Sequence, residues 1–254
     1  MKHLGIYFFI FAAVHTAAFF LVGETKPVAN YIHGKIEVIS EQENPSSQNT
    51  ISTLRINDHI NLGDLICTGK GSRSEFSTQF GEEYLYTCRL GSQSVMSWTN
   101  RNTIFLHSGS FLYTNSNTSQ INVSSIEANA SFKGSGTIII EATQNGGFKF
   151  IPIEARGTLT TDSGGTIPIK SGRMILVLGN PTYFGDAYDF DLMLLIKTSR
   201  LINSYPNPLE SFGRISLSVY SQELKLKGKY NALIGDAISD DKLQLWTFGE
   251  NNLK

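Results

Sequence analysis

From Gly34 to Leu178 the chain is a succession of short apolar runs, four to nine residues long, each closed by Gly, Ser or Asn. Gly34–Ile39 alternates Ile36 and Val38 with charged or polar neighbours, the period of a half-buried strand. The runs Ile60–Thr68, Ser74–Phe80, Tyr84–Leu90, Ser94–Thr99, Thr103–His107 and Phe111–Thr114 follow, then Ile121–Ile126, Thr137–Ala142, Phe148–Ile153, Gly157–Thr161, Thr166–Ile169 and Met174–Leu178. More than a dozen strands with no helix between them fit a β-sandwich, barrel or solenoid. The glycines between runs are expected at turns, where positive φ or close chain approach is needed. A phosphate loop at Gly134-Ser135-Gly136 is excluded by context, since neither a helix nor Gly-Lys-Ser/Thr follows. The polar segment Glu41–Thr50 reads as a loop.

Past Asn180-Pro181 the pattern changes. Asp186–Asn203 has acids at its front, Lys197 and Arg200 at its back and a dense apolar middle, which predicts one helix capped by Asp189 or Asp191. The alternation of Ile215, Leu217 and Val219 predicts a strand over Arg214–Tyr220. A second is expected over Glu223–Tyr230 and a last one over Leu243–Phe248. The fold class is therefore mainly β, solenoid-like or built of stacked twisted sheets, with one C-terminal helix and a few terminal strands.

Charge excludes one class of partner. The 21 Lys+Arg and 22 Asp+Glu leave a net charge of −1, and a nucleic-acid binder needs a concentrated basic surface to neutralise phosphates. At 41% hydrophobic, the chain has enough apolar material for a packed core.

Met1-Lys2-His3 precedes an apolar run from Leu4, with no acid before Glu24, the layout of an export signal. Small residues at Thr16-Ala17-Ala18 suit cleavage after Ala18, giving a signal peptide over 1–18. The alternative is an uncleaved anchor over 4–22, just long enough to span a bilayer. Both place the rest outside the cytoplasm, with the membrane reached only through the N-terminal segment. In such an oxidising space Cys67 and Cys88 read as a disulfide, with two buried thiols as the alternative. Neither cysteine has His or acidic neighbours at zinc-ligand spacing.

No catalytic constellation emerges. His3, His15, His33, His59 and His107 are scattered, and neither His-Glu-x-x-His nor Gly-x-Ser-x-Gly is present. The acids Asp186, Asp189 and Asp191 suit a helix start, and Asp236, Asp240 and Asp241 a solvated turn; neither set matches a calcium loop. The aromatics Tyr84, Tyr86, Trp98, Phe105, Phe111 and Tyr113 suit either a core or a sugar-stacking groove. Asn117, Asn122 and Asn129 head Asn-x-Ser/Thr triplets, which matter only in a host that glycosylates them. No catalytic, cofactor or metal residue is assigned.

Leu62-Gly63-Asp64-Leu65-Ile66-Cys67-Thr68-Gly69-Lys70-Gly71-Ser72-Arg73-Ser74-Glu75-Phe76 resembles the signature of the FecR domain. Arg89-Leu90-Gly91-Ser92-Gln93-Ser94 is similar to that family's following strand and turn, and Leu106–Leu112, with Gly109, to its next one. Gly134-Ser135-Gly136-Thr137 and Ile169–Met174, with Gly172, sit where later Gly steps are expected. The resemblance spans about Gly34 to Leu178, a FecR-like all-β domain over 31–180 followed by a helix-plus-strand cap over 181–254. It implies structural roles for the motif: Gly63 and Gly69 bracket a strand with Ile66 inward, Asp64 and Thr68 bond turn amides, and Arg73 pairs with a carboxylate or carbonyl. Ser72 and Glu75 complete the signature. It also implies a solenoid of stacked rungs. Cys67 and Cys88, 21 residues apart, would then lie on neighbouring strands about 4.8 Å apart and close the disulfide.

The best-known members join a cytoplasmic anti-sigma segment to such a domain across one membrane span. Here only three residues precede the apolar run, so no sigma-binding part is expected. The resulting expectation is an exported, non-catalytic module that binds or scaffolds another envelope protein. The alternatives are a signal-transduction component relaying to a sigma-factor system, and a carbohydrate-binding protein.

Overall fold

The computed structural model describes residues 26–40, 49–80, 83–226, 232–236 and 243–247. Its strands are β1 (Val28–His33), β2 (Ile36–Ser40), β3 (Thr50–Thr53), β4 (Leu65–Thr68), β5 (Arg73–Phe80), β6 (Glu83–Leu90), β7 (Val95–Asn100) and β8 (Thr103–Ser108), then β9 (Ser110–Ser124), β10 (Asn129–Ala142), β11 (Phe148–Thr161), β12 (Gly165–Pro168), β13 (Arg173–Leu178) and β14 (Tyr183–Asp189). Helices α1 (Leu192–Thr198), α2 (Arg200–Asn203) and α3 (Phe212–Leu226) follow, then β15 (Ala232–Asp236) and β16 (Leu243–Thr247). The mainly β reading holds. The expected export signal lies outside the described residues, as do Asp240 and Asp241, and among the described residues no helix is long and apolar enough to cross a membrane.

Fourteen strands form one open sheet, ordered β14-β13-β11-β10-β9-β8-β7-β4-β2-β3, with β12 paired to β11 and a branch β6-β5-β1 leaving it at β9. Every pairing in it is antiparallel except β8 with β9. Hairpin neighbours, rather than successive parallel rungs, therefore build the sheet. The start of β9 pairs with β6 (Phe111 with Leu90, Thr114 with Thr87), while its far end pairs with β8 (Asn122 with Thr103). The two branches diverge from this strand and face each other across a core. Phe76 of β5 meets Trp98 of β7 edge-on at 5.2 Å, and Trp98 Nε1–H donates to the Tyr86 hydroxyl of β6 at 3.0 Å.

The opposite face of β9, β10 and β11 carries the helices. Phe111, Tyr113, Ile138 and Ile140 point into the sheet core, whereas Leu112, Ile139, Ile151 and Ile153 pack with Leu192, Leu195, Leu201, Ile215 and Val219. A strand buried on both faces needs no polar alternation, which accounts for the unbroken Ile138-Ile139-Ile140.

Three glycines expected in turns lie inside these long strands. Gly134 is the register partner of Gly157, and Gly136 of Ala155. Gly136 has φ +115°, and a Cβ there would lie 2.7 Å from the Ala155 Cα. The backbones touch where a side chain would hold them apart. The runs expected as separate strands, Phe111–Thr114 with Ile121–Ile126 and Phe148–Ile153 with Gly157–Thr161, are thus largely joined into β9 and β11.

The C-terminal region departs from expectation in three places. Tyr183–Asp189 is a strand paired with β13, so the helix begins only at Leu192. Asp191 caps it, accepting from the Leu194 N–H at 2.9 Å, and Ser199 separates α1 from α2. Arg214–Tyr220 is helical. Ile215 and Val219, four residues apart, are buried at 0% and 6%, while Leu217 is 68% exposed. The period is therefore 3.6, and the alternation over five residues imitated a strand. Helix α3 also takes in the first part of the strand expected at Glu223–Tyr230, whose last four residues lie outside those described. The expected strand at Leu243–Phe248 is present as β16, paired with β15.

The disulfide is not formed. Cys67 on β4 pairs with Glu37 and Val95, while Cys88 on β6 pairs with Phe76 and Tyr113, so the two stand in different branches of the sheet. Ile66 faces the core, which turns its neighbour Cys67 to the other side, whereas Cys88 is wholly inside. Burial, then the Glu37 carboxylate, raises the pKa of the Cys67 thiol, and burial raises that of Cys88 strongly.

Two outcomes follow. Alkylation of the unfolded, unreduced chain should add two thiol labels by intact mass, and no label would mean a bonded pair. Gly136→Ala should cost roughly 2–5 kcal/mol in urea unfolding, from backbone strain plus overpacking. Gly63→Ala, at φ +90° with nothing within 4 Å of its Cβ, should cost only about 1–2 kcal/mol.

Candidate functional site

Several residues between Asp64 and Ser110 are joined by hydrogen bonds between turns. Buried Thr68 donates its hydroxyl hydrogen to the Gly91 carbonyl at 2.6 Å and accepts from the Ser94 N–H at 2.8 Å. Ser94 Oγ accepts from the Ser110 N–H at 2.9 Å, beside Gly109, whose φ of +81° and lack of a Cβ let the two turns meet. Gly69 accepts from the Ser72 N–H at 3.1 Å, and Gly71 N–H donates to Ser92 Oγ at 2.7 Å. Asp64 accepts from the Asn61 N–H at 3.1 Å, the turn role expected for it. Arg73 has its Nε buried without a hydrogen bond among the described residues.

Glu75 and Arg89 are cross-strand partners on β5 and β6 and form an ion pair at 2.7 Å. Arg89 is 1% exposed. Its Nη1 donates to the carbonyls of Leu201 and Ile202, both at 3.2 Å, and its Nη2 to that of Asn207 at 2.6 Å. The guanidinium also lies 4.2 Å from the centre of the Tyr205 ring. Tyr205 in turn donates to the carbonyl of Leu90 at 3.1 Å or of Ser74 at 3.2 Å. Burial lifts this phenol well above its ordinary pKa, against the opposing pull of Arg89. Three of the four Arg89 hydrogen bonds cross from the sheet to the helical layer, and the fourth joins β6 to β5.

The open chemistry lies elsewhere. A cleft of about 670 Å³ runs between β11, the β12–β13 turn and α3, within the range of ligand sites. Arg156, Lys170, Arg173 and Arg214 line it, against Glu154 and Asp189. Arg214 Nε lies 3.3 Å from the largely buried Glu154 carboxylate, and Arg173 Nη1 lies 3.4 Å from that of Asp189. Arg156 and Lys170 are exposed and make no side-chain hydrogen bond or ion pair among the described residues. Exposed Leu217 forms the helical lip. Of the signature glycines, only Gly172 reaches this cleft. Its φ of +77° and missing side chain leave room for Gln222, whose Oε1 accepts from the Leu192 N–H at 2.9 Å.

Sequence reading missed the cleft because its four cations come from β11, β13, a turn and a helix, and single exposed Arg and Lys residues carry no pattern. Leu217 was the one available signal, since a helical reading of 212–226 places it opposite Ile215 and Val219. Of the aromatics proposed for sugar stacking, Tyr86, Trp98, Phe111 and Tyr113 are buried in the core, Phe105 meets His107 in a tilted contact at 4.4 Å, and the Tyr84 side chain lies outside those described. Among the described residues no group of three or more His, Cys, Asp or Glu gathers as metal ligands would. No family model matches the chain, and neither a curated protein nor a solved structure is significantly similar to it.

Removing Arg89 strands Glu75 and the three carbonyls. Arg89→Met should therefore destabilise the protein by about 3–5 kcal/mol, read from urea unfolding. A loss below about 1 kcal/mol, the scale of an exposed pair, would show that the cluster does not join the layers.

Proposed function

We propose that the chain is an exported, non-catalytic FecR-like β module that binds or scaffolds another protein of the cell envelope. The observation that carries this reading is the outer face of α3. Leu217, Tyr220 and Leu224 are 68%, 60% and 50% exposed and recur at i, i+3 and i+7, one stripe along the helix. The opposite stripe, Ile215 and Val219, already satisfies the core. An apolar row that the chain's own core does not use, bordering a charged cleft, has the make-up of a protein-docking surface with an apolar centre and polar rim.

The supporting scaffold is rigid in the way such a surface requires. Helix α3 sits on β11, which is hydrogen-bonded to β10 along most of its length and buried on both faces from Phe150 to Ala155. Side chains presented from such an element keep their positions, so binding orders little besides the partner.

A photo-activatable residue at position 217, in cells that make the protein natively, tests the reading. The expected result is one discrete adduct with an extracytoplasmic protein, lost when Tyr220→Asp and Leu224→Asp are combined. Both sites are exposed, so these variants should fold. A cytoplasmic chain, or no adduct on irradiation, would overturn the proposal.

A further inference from the structure

We infer that the cleft beside α3 is the specificity site of this docking surface and takes an extended acidic segment of the partner, its carboxylates at Arg156 and Lys170 and an apolar side chain on Leu217. The inference rests on the docking reading above and names what is docked.

The walls dictate the mode of recognition. An extended peptide often binds by adding a strand, which requires unpaired backbone groups at a sheet edge. In this cleft those groups of β11 are taken. The Ala155 N–H donates to Ser171 Oγ at 3.2 Å, the Gly157 carbonyl accepts from the Ile169 N–H at 2.9 Å, and the Pro152 carbonyl accepts from the Gly172 N–H at 2.9 Å. Recognition has to proceed through side chains.

Those side chains are predominantly cationic. Four cations face two anions, so the cleft has a local excess of two positive charges on a chain whose net charge is −1. The two acids are turned to Arg214 and Arg173, which leaves Arg156 and Lys170 for a ligand. Guanidinium groups bind carboxylates in a bidentate manner, and complementary charge at a rim speeds encounter and fixes register. The apolar lip at Leu217, continued by Tyr220 and Leu224, selects for a peptide over a polyanion lacking apolar groups. In an extended chain alternate residues point to opposite sides, so acidic and apolar residues in alternation would meet the cationic wall and the helical lip together.

Fluorescence anisotropy on the full chain tests this, with a labelled peptide alternating Glu and Leu, and its Gln-for-Glu twin as control. The acidic peptide should bind and the twin should not. Arg156→Glu combined with Lys170→Glu should raise Kd about tenfold, whereas Lys70→Glu, outside the cleft, should leave it unchanged. Binding should weaken as salt is raised. Both reversed positions are exposed, and near-ultraviolet circular dichroism would verify that the variants fold. Equal binding of the twin, or indifference to the double reversal, would overturn the inference. So would preferential binding of polygalacturonate or of anionic phosphatidylglycerol vesicles, which would point to a polysaccharide or a membrane. Loss of acidic-peptide binding with the position-217 adduct intact would overturn the acidic segment and leave the docking surface standing.

Discussion

A guanidinium enclosed in protein joins the two halves of this molecule. Moving such a charge out of water costs several kcal/mol unless its donors are answered, and Arg89 makes four hydrogen bonds. Glu75, its register partner, supplies the opposite charge, and the Tyr205 ring covers its face. The Leu201 and Ile202 carbonyls belong to α2, a helix of four residues. Carbonyls at the end of so short a helix have no partner within it, and they carry the negative end of the helix dipole. The arginine thus needs acceptors and the helix needs donors, and each need is met only when the helical layer lies against β6.

With that layer in place, β9, β10 and β11 become strands buried on both faces, and their composition follows. A strand sandwiched between two cores gains from apolar residues at every position, as at Ile138 to Ile140. The same strands must also pass close to one another where Gly134 meets Gly157 and Gly136 meets Ala155. Nearby, Thr137 is register partner to Glu154 and Ile138 to Pro152, which shifts the alternation of β11 by one residue. Before the shift Ile151 and Ile153 share the helical face with Ile139, whereas after it Ala155 and Leu159, of the same parity, turn to the sheet core. The shift lets the odd-numbered residues of one strand feed the helical core at Ile151 and Ile153 and the sheet core at Ala155 and Leu159.

Sequence revealed the class of the fold because alternation and turn chemistry are local. The strands between Ile36 and Leu178 were legible in outline, as was the capping role of Asp191. Long-range geometry was not. Whether a glycine marks a turn, as Gly63 does, or a crossing inside a strand, as Gly136 does, depends on a partner 18 or more residues away. Cys67 and Cys88 suited a disulfide in an oxidising space and on the premise of stacked rungs, whereas β4 and β6 stand in different branches of an antiparallel sheet. In Arg214–Tyr220 a window of five residues holds too few periods to separate 2 from 3.6. The cationic cleft was the least legible feature, since nothing in the chain relates Arg156 to Arg214 until α3 is laid on β11.

The position of the cleft follows from the same packing. Helix α3 is anchored by Ile215 and Val219, and Gln222 binds the start of α1, so the helix is held along one line only. On one side of that line the turn from Ile169 to Gly172 bonds to the backbone of β11 and cannot move in to fill the gap. A groove remains, with the side chains of Arg156 and Lys170 exposed in it. Apolar residues there would deepen the core; Arg156, Lys170, Arg173 and Arg214 keep it open and wet, since a desolvated cation without a full set of acceptors is costly. A gap lined in this way adds nothing to stability, and Leu217, Tyr220 and Leu224 on its rim add nothing either while they face water. The proposed docking would bring carboxylates to the one and apolar groups to the other.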